Sequence, residues 1–456
     1  MIGGNDAIAG QDYHRSVHRP DRLYQQFDPM HPLTADEGDV GLYVDWQQEI
    51  GADDIKRRIT NPFARSRLQP IIRLFTGHRG VGKTTELYRV KTSLEAGVDG
   101  QRFFVSMLLA ERWMDLEDVR PEEIVFQMVR QLVADLKAAG FELGAQRFGG
   151  FFGRLRDLLS REVNLEAVEI GADPLKFSFK FEDTAGARPQ LRHLLRGQLP
   201  RIYDLVNQEV LVEARKWLSE PEHGKFNDVL VIVDQLDRMP RKTLNGQNMT
   251  NHENLFLNCA GILGRLQCHV LYTIPIELAY SRCRVRLGDV YGAEIISLPA
   301  IPVTDRQGRD HLAGQKALEQ IVQRRAERAG VHLDEVFESA MLRKEVLQAA
   351  GGHVRGLLML LRSMIDRINR DEDLPINRKT AELSLKKAAE DLALPLSRRD
   401  RLLLEQVHKS RQLPNGDANA SDLLRELFVL AYEDEDGHWW CDRNPLLGYL
   451  SERPRP

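Results

Sequence analysis

Cysteine is scarce in this sequence, four residues in 456, and no two of them stand at C-x-x-C spacing. Cys259, Cys268, Cys283 and Cys441 therefore indicate neither a zinc ribbon nor a disulfide framework, and reduced, buried thiols are expected. Long apolar runs are missing too, since nothing approaches the roughly eighteen apolar residues that cross a bilayer. The first residues, Met1-Ile2-Gly3-Gly4-Asn5-Asp6, lack the basic-then-apolar order of a secretory signal. A soluble, cytoplasmic protein that makes no membrane contact is the expectation. Neither sign of charge dominates, with 63 basic and 67 acidic residues and a net charge of -4. That balance disfavours a chain that blankets nucleic acid, because such domains carry a large excess of Lys and Arg, but it leaves room for a local basic groove.

What is present is ordinary globular material, 42% hydrophobic and 29% charged, in a length that suggests about two to four domains. Residues 1–40 are polar, show no periodicity and end in the acidic run Asp36-Glu37-Gly38-Asp39, which predicts an extended arm. From residue 41 a strand-and-helix alternation begins. Ile71–Thr76 is a compact β-prone run, a helix is expected over Thr84–Leu94, a second strand over Phe103–Leu109 and a second helix over Pro121–Ala138. Val229–Val233 is the longest uninterrupted apolar run and predicts a central strand buried on both faces. His269–Ile274 and Ile295–Ile301 add two more. The prediction is an α/β core with a doubly wound parallel sheet over residues 41–303.

The rhythm breaks at about residues 140–225. Phe177, Phe179 and Phe181 alternate with polar residues and face Leu165–Ile170 across a turn, which reads as a β-hairpin. An amphipathic stretch from Pro189 to Leu218 follows, with Leu194, Leu195, Ile202, Leu205, Val206 and Val210 on one face. Hairpin and helix together are expected to form an insertion. Residues 304–395 read as a helical lid. The final segment, 396–456, shows helices at Arg398–His408 and Ser421–Leu427, then Val429–Asp434 and His438–Cys441 about an Asp436-Gly437 turn, the layout of a winged-helix domain.

The chemistry is concentrated in Gly77-His78-Arg79-Gly80-Val81-Gly82-Lys83-Thr84, followed by Thr85. This is G-x-x-x-x-G-K-[ST], placed between a predicted strand and a predicted helix. Glycines let the backbone wrap an anion, and the helix N-terminus adds positive potential. Lys83 is expected to reach the β- and γ-phosphates of ATP, and the Thr84 hydroxyl to ligate Mg²⁺. The second half of such a site is an acidic strand tip, here Asp234 in Asp234-Gln235-Leu236-Asp237-Arg238, which makes Asp234 the candidate Mg²⁺ partner. Gln235 cannot act as a base, so Asp237 becomes the candidate for orienting water. Asp237 and Arg238 capping the next segment and pairing with each other is the alternative.

The phosphate loop together with "VIVDQLDR" resembles the additional-strand NTPases of the AAA+ and STAND groups, especially origin-recognition-like, KAP-like and NACHT-like ATPases whose second motif reads D-x-x-D. "HVLYTIPIELAYS" and "GGHVRGLLMLLR" also look like a set of bacterial ATP-binding proteins of similar length. The resemblance implies that Thr273, ending its strand, reads the γ-phosphate, and that Arg355 in Gly351-Gly352-His353-Val354-Arg355 touches nucleotide from the lid. It offers Arg282, Arg284 and Arg286 as a finger toward a neighbouring subunit, against a plain solvated basic face. ATP would then bridge core and lid in a slow ATPase that acts as a switch.

Three functions stay open. The first is a regulatory switch that assembles with itself or with a protein effector, in a setting such as bacterial antiphage defence. The second is a DNA-linked ATPase of initiator, loader or transposition-helper type, and the third an ATP-binding scaffold without turnover. Glu433, Asp434, Glu435 and Asp436 in the wing would repel a phosphate backbone, so DNA is disfavoured there. Trp439 and Trp440 divide between core and contact surface, and Arg398, Arg399 and Arg401 form the one basic cluster nearby.

Overall fold

The computed structural model describes residues 18–34, 39, 41–141, 187–244, 249–368, 374–414 and 418–450. The expected hairpin at 165–181 lies outside these residues. The chain divides into two compact units, one built from Ile55–Gly77 and Glu86–Ser297, the other from the described residues up to Asp54, His78–Thr85 and Leu298 onward. The phosphate loop thus groups with the lid and the C-terminal domain, a division that differs from the expected boundary at 303.

The first unit is the α/β core. Its sheet has the order β2-β3-β4-β1-β5, with β1 Ile72–Gly77, β2 Phe103–Leu109, β3 Asp228–Asp234, β4 His269–Thr273 and β5 Ile296–Leu298. β1 pairs with β4, β4 with β3 and β3 with β2, all in parallel. Strand alternation sends Val229, Val231 and Val233 to one face and Leu230 and Ile232 to the other, and all five are fully buried. That is why β3 carries no polar residue between Asp228 and Asp234. The last expected strand stops early, because Pro299 ends it and the N–H groups of Ala300 and Ile301 bond the carbonyls of Ala431 and Gly352 in the other unit's own fold.

The amphipathic stretch is helical throughout, as Ala187–Leu205, a π-helical segment Val206–Leu211 and Val212–Leu218. Leu195, Ile202, Val206 and Val210 are buried in the same apolar core as Val231 and the helix Pro121–Ala138. This segment packs into the core. Each such fully buried side chain contributes about 1.5–3 kcal/mol, which anchors the segment independently of any hairpin.

In the second unit, the segment expected as an extended arm contains the helix Arg19–Gln26. Pro20 sits in its first turn, where the missing N–H costs nothing. Leu23 and Phe27, four residues apart, share one face and are fully buried, and this spacing outweighs the polar composition around them. The lid comprises Leu312–Arg328, Ala340–Ala349, Val354–Ile365 and Arg378–Ala393 as its longer helices. Ser339 and Asn377 cap two of them through their side-chain oxygens.

The C-terminal domain has the expected winged-helix layout, Arg398–Ser410, Ala418–Arg425 and the antiparallel pair β6 Val429–Glu433 and β7 Trp439–Arg443. Leu427 takes a left-handed φ of 65°, and the helix ends before it. Trp440 is buried and stacked on Tyr432 with ring centroids 4.4 Å apart, whereas Trp439 is half-buried. All four cysteines are free. Among the described residues no helix is long and apolar enough to cross a membrane.

Candidate nucleotide-binding site

β1 ends at Gly77, and the loop turns directly into the helix Lys83–Ala96. Gly77, Gly80 and Gly82 take φ values of 151°, 87° and 112°, conformations that side chains resist. The His78 carbonyl gathers two donors, the Val81 N–H at 3.3 Å and the Lys83 ammonium at 2.9 Å. Lys83 is only 6% exposed, so its charge sits in the loop rather than in bulk water. Val81 is buried, Arg79 is exposed and Thr84 is half-buried. Thr85 turns its hydroxyl to the Leu33 N–H at 3.1 Å, which gives it a structural task that the motif does not disclose. A buried ammonium, a hydroxyl one residue on and a helix N-terminus form a donor set that fits a phosphate and its Mg²⁺.

The lid grips this loop directly. The Arg355 N–H donates to the Gly80 carbonyl at 3.1 Å, and His353 Nε2 donates to the Arg79 carbonyl at 2.6 Å. His353 Nδ1 accepts the Gly356 N–H at 3.1 Å, which caps the helix Val354–Ile365 and assigns the tautomer. Arg355 Nε bonds the Pro29 carbonyl at 3.2 Å. Loop and lid start are therefore joined by the chain's own atoms. Gly352 serves a different close approach, that of the lid start to Ile301. A Cβ on Gly352, at φ 76°, would fall 1.7 Å from the Ile301 carbonyl oxygen.

His78 was expected among the nucleotide-binding residues of the loop, and its side chain is buried. Its Nε2 accepts the Ala431 N–H of β6 at 2.8 Å. Burial, then the neighbouring charge of His353 and Lys83, lowers the His78 pKa to about 3. Burial also lowers that of His353, to about 4, with Arg355 and Lys83 acting in the same direction. Both rings are neutral, as their acceptor roles require.

The remaining candidates lie in the α/β unit. Val233 is in register with Tyr272 on the parallel neighbour, so Asp234 and Thr273 end adjacent strands, at the same end of the sheet as Gly77. Ligands of open α/β sheets bind outside this end. Asp234 is buried and its Oδ1 accepts the Gln235 N–H at 2.7 Å. Thr273 is fully buried and its hydroxyl donates to the Val233 carbonyl at 3.4 Å. Gln235 holds a left-handed φ of 72° and turns its Oε1 to the Glu111 N–H at 3.3 Å. Asp237 is buried in the short turn Leu236–Arg238, and Arg238 forms an ion pair with Glu111. The strain at Gln235 and the Glu111 contact left no mark in the sequence.

Arg282 and Arg286 are exposed at and on the helix Cys283–Tyr291, and Arg284 is half-buried. In the wing, Asp434, Asp436 and His438 present ligand atoms within 4.8 Å of one another. Asp434 Oδ1 accepts the N–H groups of Asp436 and His438, so the cluster is accounted for by the turn. Arg398, Arg399 and Arg401 are exposed at a helix start capped by Ser397 and Asp400.

No family model and no curated protein match this sequence. Among solved structures it is similar to a Walker-type ATPase of Pyrococcus abyssi, with TM-score 0.42 and 12% identity over 93% of this chain and 99% of that one. It is similar to Cdc6p of Pyrobaculum aerophilum, with TM-score 0.40 and 11% identity over 92% and 94% of the chains. A third likeness is to Drosophila ORC bound to DNA, with TM-score 0.38 and 11% identity over 99% and 94%. At these values the argument about function stays with the residues of this chain.

Proposed function

We propose that this protein binds ATP with Mg²⁺ at residues 77–85 and hydrolyses it slowly, as a switch that controls its own assembly or a protein effector. The observation that carries the reading is the loop itself: positive-φ glycines, the Lys83 ammonium bonded within the loop and a helix starting at Lys83. Lys83 would bind the β- and γ-phosphates, and backbone N–H groups would complete the cradle. Thr84 and Asp234 are the residues suited to hold Mg²⁺, which when bound neutralises charge that builds on the phosphates. Thr273 would sense the γ-phosphate from the strand end, and Arg355 would touch nucleotide from the lid.

Slow turnover follows from Gln235. The position after the acidic strand tip cannot take a proton, and the nearest acidic residue in the motif, Asp237, is held in a short buried turn. A switch needs no more than this, because its output is a change of population between states rather than rapid flux. Exposed Arg282 and Arg286 suit contact with a second copy. ATPase rate and molecular mass measured in ATP test the reading. A chain that neither binds nor turns over ATP ends it.

A DNA-linked ATPase is the second reading, favoured by the winged-helix layout and the exposed Arg398, Arg399 and Arg401. The wing tip counts against it, since Glu435 and Asp436 are exposed there. Turnover stimulated by DNA, with steep salt dependence, would select this reading over the first.

A further inference from the structure

His78 is the meeting point of two hydrogen bonds that the proposed ATP site does not explain. Its carbonyl accepts the Lys83 ammonium at 2.9 Å, and its ring accepts the Ala431 N–H at 2.8 Å. The first bond engages the cation that the loop offers to phosphate. The second holds the outer edge of β6, the wing strand, whose inner edge pairs Ala431 with Cys441 of β7.

We propose that His78 is a positioning residue that links phosphate binding at Lys83 to the docking of the wing, so that a bound nucleotide loosens β6 from the loop. This rests on the reading of residues 77–85 as an ATP site. A phosphate draws the Lys83 ammonium into charge-assisted hydrogen bonds, which are shorter and stronger than a bond to a neutral carbonyl. The His78 carbonyl then keeps only the Val81 N–H, at 3.3 Å, and its peptide is held less firmly. Ring and carbonyl belong to one residue, and a hydrogen bond weakens steeply once its angle departs from linear. The Ala431 N–H therefore registers any rotation of the His78 backbone.

The surroundings make the link specific. The ring is 1% exposed, so water does not compete for Nε2. The titratable groups facing it are Lys83 from its own helix start and His353 from the lid, and both histidines are neutral. The Ala431 N–H has His78 Nε2 as its acceptor, while the Ala431 carbonyl accepts the Ala300 N–H at 3.0 Å. The Tyr432 hydroxyl, donating to the Gly351 carbonyl at 2.9 Å, keeps β6 attached to the lid when the Ala431 N–H loses its acceptor. The link is thus local, and its release leaves the fold intact.

The test is backbone amide exchange over Val429–Glu433 in the full chain, with and without Mg²⁺ and a non-hydrolysable ATP analogue, while a fluorescent nucleotide reports occupancy in the same samples. The expected result is exchange faster by roughly threefold or more with nucleotide. In His78→Ala the strand exchanges fast in both states and the nucleotide effect is lost. In His78→Gln, whose amide oxygen can replace Nε2 as acceptor, the effect returns. Nucleotide that binds without changing β6 exchange overturns the link alone, as does a His78→Ala protein that keeps the wild-type response. A chain that binds no nucleotide overturns the ATP reading as well, and the occupancy signal separates the two failures.

Discussion

His353 stands between the phosphate loop and the lid with both ring nitrogens committed, Nε2 donating to the Arg79 carbonyl at 2.6 Å and Nδ1 accepting the Gly356 N–H at 3.1 Å. A proton added to Nδ1 would remove the helix cap and place a cation beside Lys83 and Arg355. His78 has the same difficulty at Nε2.

Acid should therefore weaken this unit in a defined window. The unfolded histidines titrate near pH 6.5, the folded ones at about 3 and about 4, so below about 6.5 the unfolded chain binds more protons. Stability is fully present above that pH and falls as pH drops toward 4, by about 1.4 kcal/mol per pH unit for each histidine. Denaturant unfolding between pH 7 and 4.5 checks this. His78→Gln should halve the histidine share of the slope, and an unchanged slope would remove His78 as its source.

Gly80→Ala should damage the loop on two counts. Its φ is 87°, and a Cβ there would lie 2.7 Å from Arg355 Cβ and 3.0 Å from His353 Nε2. The expected cost is about 1–3 kcal/mol of stability, with nucleotide affinity reduced more than tenfold in a binding titration because the cradle and its lid contact shift together.

The N-terminal helix should prove to be part of the fold. Leu23 is fully buried, Arg362 lies 3.9 Å from the Tyr24 ring centroid, and the same guanidinium pairs with Asp28 at 3.2 Å. Leu23→Ala should cost about 2–5 kcal/mol, whereas a true extended arm would lose nothing measurable. Thermal melting distinguishes the two.

Asp234→Asn and Asp237→Asn separate metal holding from water activation. The first should weaken the Mg²⁺ dependence of nucleotide binding. The second should leave binding intact and lower turnover by roughly a hundredfold if Asp237 takes the proton. Turnover that is unchanged in Asp237→Asn removes it from the reaction.

The parts of the molecule governed by local rules were legible in the sequence. Val229–Val233 announced a strand covered on both sides, and Gly77–Thr84 carried its own strand-loop-helix context. The wing hairpin was visible from its turn residues. What stayed hidden depends on contacts across hundreds of residues. Nothing near His78 tells that Ala431 will need an acceptor, and nothing near Gly80 tells that Arg355 will donate to it. Leu23 and Phe27 carried the helical spacing, but one turn of it among polar residues is a weak signal until the lid supplies the other surface. The Gln235 conformation is of the same kind, imposed by its place between β3 and the turn that follows.

The grip of Ala431, His353 and Arg355 on residues 78–80 also sets an order of events during synthesis. A nascent chain that has emerged as far as Ala96 already contains every residue of the phosphate motif, but the partners that hold the loop from outside are between roughly 250 and 350 positions away and reach it late. Half-made chains that end before His353 would carry the motif without the lid's bonds to the Arg79 and Gly80 carbonyls, so the loop takes its finished shape only after the lid has emerged.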